Sequence, residues 1–489
     1  MRVIIFDIDT LRPDHLGCYG YMRDTSPNID EIARRGVRFS RCYCPNAPCL
    51  PSRASLITGQ YGIRTGIVGH GGTAADMRLQ GASRGFRDLV SEHSLFMQFR
   101  RAGMHTVSFS TFAERHSAGW FAAGLNEWYN VGGGGMESAE EITPLVLDWL
   151  DRNGSRENWM LHVHFWDPHT PYRAPEWFGN PFAGEPLPDP WITEEIFERH
   201  LCHVGPHGAR EINMWDDRTD PRYPRHPGKL ENLEQVKDFI DQYDCGVRYA
   251  DYNVGLILDK LRELGIYYDT AMVVTSDHGE NLGEGGIYAE HATTDEATCR
   301  IPLIVSYPGC RENAEVDDFC DNTDFIPTVR ELLGLKNPVP RGWYDGISLL
   351  PALRGDLFRH SRDHVILTQC AHVCQRAARF GDYLYIRTLH GGYHLLDREQ
   401  LYNISEDPHQ LRNLASERPE LCAVGARYIL DWVDDNLAKS PYPVDPLQTV
   451  LHEGGPLHCR GALPGYIKRL RDAGRHADAE ALLARYPNG

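Results

Sequence analysis

Short runs rich in apolar residues recur through the first two thirds of the chain and alternate with segments of helical periodicity. The clearest runs cover residues 3–8, 104–109, 160–165, 271–275 and 302–305. Mainly apolar runs of this length are typical of strands buried on both faces of a parallel sheet. Their alternation with helices predicts an α/β fold, with a mostly parallel sheet flanked by helices.

Helix signals lie between these runs. The Ser-Pro pair at 26–27 caps a segment that carries apolar residues on one face and ends at Gly36. Ser138 and Glu141 have the spacing of a capping box, and a long helical stretch covers residues 230–264. These helices supply the layers that a parallel sheet needs on its faces.

The pattern changes towards the C-terminus. The polar, proline-rich segment 171–227 is too long for a plain connection and predicts an insertion over the top of the sheet. Short strand-like runs appear later, at 364–368, 382–388 and 393–396. An Arg- and Ala-rich helical segment follows near 465–485. We therefore expect an α/β domain over residues 1–350 and a smaller C-terminal α+β subdomain over residues 351–489.

The charge balance narrows the range of partners. Of 489 residues, Lys and Arg contribute 50 and Asp and Glu 68, for a net charge of −18. Such a field repels nucleic acid over most of the surface, so no nucleic-acid partner is expected and an anionic ligand must be held locally. No run approaches the roughly 18 apolar residues of a membrane helix, and no membrane contact is expected.

Two features bear on the cellular compartment. Met1-Arg2 leads at once into the first predicted strand, without the basic and apolar architecture of a signal peptide, which predicts a cytoplasmic protein. The odd count of 13 cysteines favours reduced thiols over a disulfide framework.

Candidate metal ligands follow two predicted strands. Asp7 and Asp9 share one side of the first strand by alternation, so both could face one cation; carboxylates that cap the next turn are the alternative. The pair Asp277-His278 follows the run 271–275, although a plain turn after a strand would look the same. Carboxyl ends of parallel strands meet at one edge of a sheet, which would bring the two pairs together.

A cysteine stands at a predicted helix start. Pro51 suits the first turn of a helix, so Cys49 lies at the positive end of the helix dipole, and Arg53 can reach back towards it. A nucleophile that handles anions is well placed there. Structural zinc at Cys49 with Cys42 and Cys44 is disfavoured, because Cys-x-Cys-x4-Cys lacks a second ligand pair.

The motif Cys-x-Pro-Ser-Arg from Cys49, followed by Leu-x-Thr-Gly, resembles the signature of type I sulfatases, in which the cysteine is oxidised to formylglycine. Further similar segments are 9–20, 26–30, 36–39, 167–172, 275–280 and 401–414. They match the family in order from about residue 1 to 415. The resemblance implies sulfate ester hydrolysis on an alkaline-phosphatase-like fold.

The resemblance also implies the cofactors. One divalent cation, usually Ca²⁺, would be held by Asp9, Asp277, His278 and the modified Cys49. A mainly oxygen-donor site agrees with a hard cation, while the histidine leaves Mn²⁺ open and Mg²⁺ is a further alternative. The implied partner is a formylglycine-generating maturation enzyme.

The implied mechanism uses both hydroxyls of the hydrated aldehyde at residue 49. One hydroxyl, made more acidic by the cation and Arg53, attacks sulfur and expels the alcohol; the other then loses its proton and expels sulfate. His169 resembles the family's substrate-contacting histidine, and His291 falls where many relatives carry a sulfate-binding lysine. Either histidine could be the acid that protonates the leaving group.

The chain departs from the family after the second apolar run. Many relatives have Gly-Lys-x-His there, whereas this chain has Ser110-Thr111-Phe112-Ala113. This departure and the pair Asp277-His278 resemble the branch of phosphonate monoester and phosphodiester hydrolases, which also use formylglycine. Thr111, His70 and His116 thereby become candidates for substrate contact, with a structural role as the alternative.

Together these observations predict a sulfatase for a small anionic sulfate ester, such as a sulfated sugar unit. A phosphonate monoester or phosphodiester hydrolase with the same nucleophile is the alternative. A binding protein on a retired sulfatase fold is disfavoured because Cys49, Arg53, Asp9, Asp277 and His278 are all intact. The sequence leaves a homo-oligomer open.

Overall fold

The computed structural model of the protein describes residues 1–81, 88–356 and 362–487. Its strands are β1 Arg2–Ile8, β2 Val37–Phe39, β3 Cys42–Tyr43, β4 Asn46–Ala47, β5 His105–Phe109, β6 Glu127–Tyr129, β7 Trp159–Phe165, β8 Thr270–Thr275, β9 Asn281–Leu282, β10 Tyr288–Glu290, β11 Leu303–Ser306, β12 Ala314–Val316, β13 Cys320–Asp321, β14 His364–Gln369, β15 Cys374–Phe380, β16 Tyr383–His390 and β17 Glu399–Asn403. Its α-helices are α1 Pro27–Arg34, α2 Cys49–Thr58, α3 Gly62–Thr65, α4 Leu89–His93, α5 Leu95–Arg101, α6 Phe112–Arg115, α7 Ala139–Asn153, α8 Glu194–Leu201, α9 Leu233–Glu263, α10 Glu296–Cys299, α11 Phe325–Leu332, α12 Leu350–Arg354, α13 Pro419–Lys439, α14 Pro446–His452, α15 Leu463–Asp472 and α16 His476–Arg485.

The central sheet is mostly parallel, as the apolar runs predict. In the described part of the chain it has eight strands, ordered β12-β2-β11-β8-β1-β7-β5-β6. β1 lies between β7 and β8 and runs parallel to both, whereas β11 is antiparallel to β8 and β2. All five predicted apolar runs form strands of this sheet. The expected α/β architecture is therefore confirmed.

Alternate residues of β1 contribute to two separate cores. Ile4 and Phe6 pack in a core with residues of α1, α7 and α9, while Val3 and Ile5 belong to the core that contains residues of α2, α5 and α11. Side chains of a strand alternate between the two faces of a sheet, so helices cover both faces. The capping box predicted for Ser138 and Glu141 begins α7, and the predicted long helix is α9.

The C-terminal part contains a second, mainly antiparallel sheet, ordered β17-β16-β15-β14-β4 among the described residues. Its strands β14 and β16 match the predicted runs at 364–368 and 382–388. The strand predicted at 393–396 is wrong, because Tyr393 has a φ of 70° and turns the chain. β4 ends two residues before Cys49 and pairs with β14, so this sheet borders the predicted nucleophile. The predicted boundary at residue 350 stays a prediction.

The segment 171–227 contains a short 3₁₀ helix, Glu176–Phe178, and α8, and is otherwise irregular. It contacts residues that follow β8: the Tyr172 hydroxyl donates to Glu280 over 2.6 Å, and His207 Nε2 lies 3.0 Å from Glu290 Oε2. The segment therefore adds side chains to the region beyond the carboxyl edge of the sheet.

Two further findings concern the whole described chain. All 13 cysteines lie within it and have free thiols. None of its helices is both long and apolar enough to span a membrane.

The contact between α9 and the loop that carries His169 yields a stability prediction. A Cβ at Gly246 would lie 2.8 Å from Pro168 Cβ, whereas one at Gly465 in α15 would meet nothing within 4 Å. Alanine is favoured over glycine in a helix by about 1 kcal/mol, but overpacking costs about 1–3 kcal/mol. We expect Gly246→Ala to lower the thermal unfolding midpoint and the control Gly465→Ala to raise it. A midpoint for Gly246→Ala at or above that of the parent protein would contradict this packing.

Candidate active site

Cys49 is the first residue of α2, and every residue of this helix is buried. Cys49 itself is 1% exposed. Pro51 lies in the first turn, where a missing N–H costs no intrahelical hydrogen bond. The first N–H groups of a helix carry partial positive charge, so the thiol lies in the positive field that the sequence predicts.

Arg53 lies one helical turn after Cys49 and is fully buried. Its guanidinium donates to Asp7 (Nε to Oδ2, 2.8 Å; Nη2 to Oδ1, 3.1 Å). Nη1 donates to Asp9 Oδ2 over 3.0 Å and to Asp277 Oδ2 over 2.6 Å. One guanidinium is therefore shared by three buried carboxylates, which leaves an excess of negative charge when all three are ionised.

Arg53 separates Asp7 from the other two carboxylates. Both oxygens of Asp7 accept from Arg53, and Oδ2 also lies 3.3 Å from His162 Nε2. Donor atoms of Asp9, Cys49, Asp277 and His278 lie within 4.8 Å of one another, and Asp7 is not in this group. This geometry favours binding of the Asp7 carboxylate to the guanidinium over the predicted contact with the cation, which stays a prediction.

The remaining group fits a cation. His278 Nδ1 donates to the Gly279 carbonyl over 2.8 Å, which directs the Nε2 lone pair towards Cys49 Sγ at 3.3 Å and Asp277 Oδ2 at 3.3 Å. Asp9 Oδ1 is buried and has no hydrogen-bond partner in the described part of the chain. Buried charged oxygens are ordinarily paired or bound to metal, so this oxygen suits a cation ligand.

The pKa shifts of Asp9, Asp277 and Cys49 also favour a cation at this position. Burial acts to raise the pKa of Asp9, but Arg53 and His169 outweigh it and hold the pKa well below its ordinary value. Burial raises the pKa of Asp277 to about 7 against the effect of Arg53, with Asp9 adding to the rise. Burial, with Asp9 and Asp277, raises the pKa of the Cys49 thiol well above its ordinary value. Additional positive charge here would keep all three groups ionised.

His169 and His291 lie against His278. The His291 ring is 4.1 Å from the His278 ring and 5.4 Å from the His169 ring, between centroids. His291 Nε2 lies 3.0 Å from Glu290 Oε1, while its buried Nδ1 lacks a hydrogen-bond partner among residues that the structure describes. His169 Nδ1 is hydrogen-bonded to the Thr170 carbonyl. Burial lowers the pKa of both rings, which are therefore neutral near pH 7.

His70 and His116 form a second pair beside the thiol. Their ring nitrogens lie within 4.8 Å of Cys49 Sγ and of each other, with ring centroids 5.0 Å apart. The Nε2 atoms of both rings are buried and lack hydrogen-bond partners in the described ranges. His70 Nδ1 lies 3.1 Å from His458 Nε2. The structure thus brings both predicted histidines to the nucleophile.

Thr111 has a different environment from the one predicted. Its hydroxyl donates to Glu137 and accepts from Trp166 Nε1 over 3.0 Å, and the residue is fully buried. The single hydroxyl proton of Thr111 is already donated to Glu137, which favours a role in this buried network over contact with an anionic substrate. The contact of Thr111 with substrate stays a prediction.

Several neighbouring residues were not predicted from the sequence. His162 and His164 alternate on β7, and His164 Nε2 lies 2.8 Å from Arg53 Nη2. That spacing on a buried strand is a signal that could have been read. Residues that arrive from distant parts of the chain carry no such signal: His207, Glu290, His372 and His458.

Comparison with known proteins gives the family. A family model described as Sulfatase matches residues 2–335. The choline-sulfatase of Rhizobium meliloti is 27% identical over 434 residues, which cover 80% of this chain and 77% of that protein. The N-acetylglucosamine-6-O-sulfatase of Bacteroides thetaiotaomicron is 23% identical and is matched over 84% of this chain and 82% of its own.

Solved structures share the fold. One, in complex with D-glucosamine-2-N,6-O-disulfate, superposes with a TM-score of 0.68 at 19% identity over 89% of this chain and 97% of its own. The phosphonate monoester hydrolase of Agrobacterium radiobacter gives a TM-score of 0.66 at 19% identity over 89% and 96%. The expected alkaline-phosphatase-like fold is confirmed. Because the family model spans more than half of the chain, this chain belongs to the sulfatase family of sulfuric ester hydrolases.

Proposed function

We propose that this chain hydrolyses the sulfate ester of a small carbohydrate, with formylglycine formed from Cys49 as the nucleophile and one divalent cation beside it. The observation that carries the proposal is the position of Cys49, at a buried helix start and within 4.8 Å of donor atoms of Asp9, Asp277 and His278. Helix N-termini favour tetrahedral oxyanions, which fits a sulfate group bound at this point.

Asp9, Asp277 and His278 are the residues that would hold the cation. Their carboxylate oxygens favour Ca²⁺, and the ring nitrogen keeps Mn²⁺ and Mg²⁺ as alternatives. A bound cation would supply Lewis acidity, which makes the attacking oxygen more acidic and offsets charge on the transferred group. Arg53 holds both carboxylates in place through Nη1.

The nucleophile requires a modification of Cys49 by a maturation enzyme. Hydrated formylglycine supplies two hydroxyl groups on one carbon, one for attack on sulfur and one for the later release of sulfate. The chain itself orients this carbon, because residue 49 is buried at the start of α2 and its neighbour Ser52 donates to the Asp277 carbonyl over 2.5 Å.

The histidines supply the remaining roles. His169 would donate a proton from Nε2 to the ester oxygen, and His291 would hold a nonbridging oxygen of the sulfate through Nδ1. Because His169 Nδ1 already donates to the Thr170 carbonyl and His291 Nε2 faces Glu290, each ring would first gain a second proton, which the bound anionic ester favours. His70 and His116, which form the second histidine pair beside Cys49, would also contact the substrate. An imidazolium can donate one hydrogen bond to the protein and a second one to the sulfate group.

A small sugar is favoured as the alcohol portion. His169 is 6% exposed and His291 is 4% exposed, which suits a ligand that enters a buried site as a whole. Relatives named for N-acetylglucosamine-6-sulfate and hexuronate-2-sulfate esters point to the same substrate class.

The second candidate function is hydrolysis of phosphonate monoesters or phosphodiesters. Two structural neighbours are phosphonate monoester hydrolases, and the pair Asp277-His278 resembles that branch. The two functions differ in the charge and geometry of the transferred group, so kinetics must decide between them.

The substrate class is tested with esters that share one aryl leaving group: an aryl sulfate, an aryl phosphonate and a bis-aryl phosphodiester, beside sulfated monosaccharides. We expect kcat/KM for the aryl sulfate to exceed both phosphorus esters by at least roughly tenfold, or about 1.4 kcal/mol. Cys49→Ala should abolish turnover of every ester. A phosphorus ester that reacts faster than the sulfate would support the second candidate instead.

Measurements of cation binding test whether Asp7 differs from Asp9 and Asp277, which we propose as cation ligands. We expect Asp9→Asn and Asp277→Asn to weaken Ca²⁺ binding by more than about 100-fold, because each removes a ligand charge. Asp7→Asn should keep the cation while its turnover falls, because Arg53 loses a partner. The measurements are metal content and calorimetric titration after chelator treatment. The proposed ligand set would be wrong if Asp7→Asn lost Ca²⁺ while Asp9→Asn and Asp277→Asn kept it.

The leaving-group acid is tested by the ratio of two substrates. A sugar alkoxide needs a proton in the transition state, whereas an aryl leaving group departs with little help. We expect His169→Ala to lower kcat on a sulfated sugar by on the order of 10²–10⁴ and to affect an aryl sulfate far less. His364→Ala, in which the lost ring stacks on Tyr428 away from the site, is the control. Equal loss on both substrates would exclude His169 as the acid.

A further inference from the structure

Glu290 is a buried carboxylate surrounded by histidines. Its Oε2 lies 3.0 Å from His207 Nε2, and its Oε1 lies 3.0 Å from His291 Nε2 and 3.3 Å from His372 Nε2. No Lys or Arg within the described ranges lies within salt-bridge distance of this carboxylate. Buried carboxylates are ordinarily paired with a cationic side chain or bound to metal, so the positive partner of Glu290 requires an explanation.

The tautomer of His207 is set by its other nitrogen. Nδ1 donates to the Ile212 carbonyl over 2.7 Å, which leaves the lone pair on Nε2. That Nε2 is buried, and in the described part of the molecule it forms no hydrogen bond, although Glu290 Oε2 is only 3.0 Å away. The Nε2 lone pair and the carboxylate oxygen lie close together without the alignment of a hydrogen bond, and they repel each other unless a cation binds to both. A histidine whose other nitrogen donates to a carbonyl is the usual arrangement of a metal ligand with its orienting hydrogen bond.

The donor set is that of a first-row transition metal. Donor atoms of His207, Glu290 and His372 lie within 4.8 Å of one another, and all three residues are buried. Two imidazoles and one carboxylate are a set that binds Zn²⁺ with a fourth position left open, whereas Ca²⁺ prefers oxygen ligands. The backbone is held in the left-handed region at His207 (φ 60°) and at Ala289 (φ 52°), as is common where structure is constrained for function.

We propose that His207, Glu290 and His372 form a second metal site, for a Zn²⁺-class divalent ion, that shares no residue with the group of Asp9, Asp277 and His278. The three ligands come from the segment 171–227, from β10 and from the loop between β14 and β15. A metal bound there joins these three parts of the chain. The proposal does not depend on the reaction that the sulfatase site performs.

His291 links the two sites. It follows Glu290 directly, its Nε2 lies 3.0 Å from Glu290 Oε1, and its ring lies 4.1 Å from that of His278. His372 also stacks on His458, with centroids 4.2 Å apart. A metal that binds Glu290 and His372 would therefore hold His291 and His458 in position near residue 49. Glu290 would then be a positioning residue.

The test uses the full-length chain with Asp277→Asn, which weakens the other site, stripped with chelator and titrated with Zn²⁺ alone. We expect one Zn²⁺ per chain by calorimetry and metal analysis. Adding Glu290→Gln or His207→Ala should weaken binding by more than the roughly 10–100-fold that loss of an outer-shell partner costs. His226→Ala is the matched control, since this buried histidine belongs to the same segment but lies outside the donor set, and it should keep the Zn²⁺.

An independent measurement uses the unmutated protein, so that poor folding of a variant cannot hide the answer. Crystals soaked in Zn²⁺ should give an anomalous scattering peak among His207, Glu290 and His372. A peak only at Asp9 and Asp277, or Zn²⁺ binding that Glu290→Gln and His207→Ala leave unchanged, would overturn the proposal. Sulfatase turnover enters neither measurement, so failure here is separate from failure of the proposed function.

Discussion

The site depends on the ion pairs that the buried guanidinium of Arg53 forms with three carboxylates. The guanidinium bonds Asp7 and Asp9 at the end of β1 and Asp277 after β8, and it belongs to the helix that starts at Cys49. Removing one partner of a buried ion pair typically costs about 3–5 kcal/mol, because the other charge is left without compensation. The ion pairs therefore fasten the helix start to the carboxyl edge of the sheet and keep two carboxylates close to residue 49.

Much of this arrangement could be predicted because its signals are local. β1, β7 and β8 are rich in apolar residues, and Asp9 and Asp277 lie just beyond two strand ends. Cys49 and Arg53 lie within one short motif. β15 was missed because its arginines are buried beside distant partners: Arg376 pairs with Asp445, and Arg379 with Glu296, 69 and 83 residues away in the chain.

Two residues of the site illustrate the same limit. Asp7 and Thr111 lie in the right region of the fold, but their partners decide what they do, and those partners are Arg53 for Asp7 and Glu137 with Trp166 for Thr111. Similarly, the histidines near residue 49 come from well-separated segments, so no spacing in the sequence predicts that they form a cluster. In a chain of net charge −18, binding of an anion here depends on the proposed cation, because Arg53 is shared by three carboxylates.

In the mechanism that we propose, an oxygen on residue 49, positioned beside Asp9, Asp277 and Arg53, forms the bond to sulfur. The most direct measurement follows Cys49→Ser, which keeps one hydroxyl but lacks the second one needed to expel sulfate. We expect a single burst of released alcohol, at most one per chain, together with a stable sulfate ester on residue 49 in the peptide mass spectrum. Continued turnover by this variant, or alcohol release without any ester on residue 49, would contradict a mechanism in which residue 49 forms the bond to sulfur.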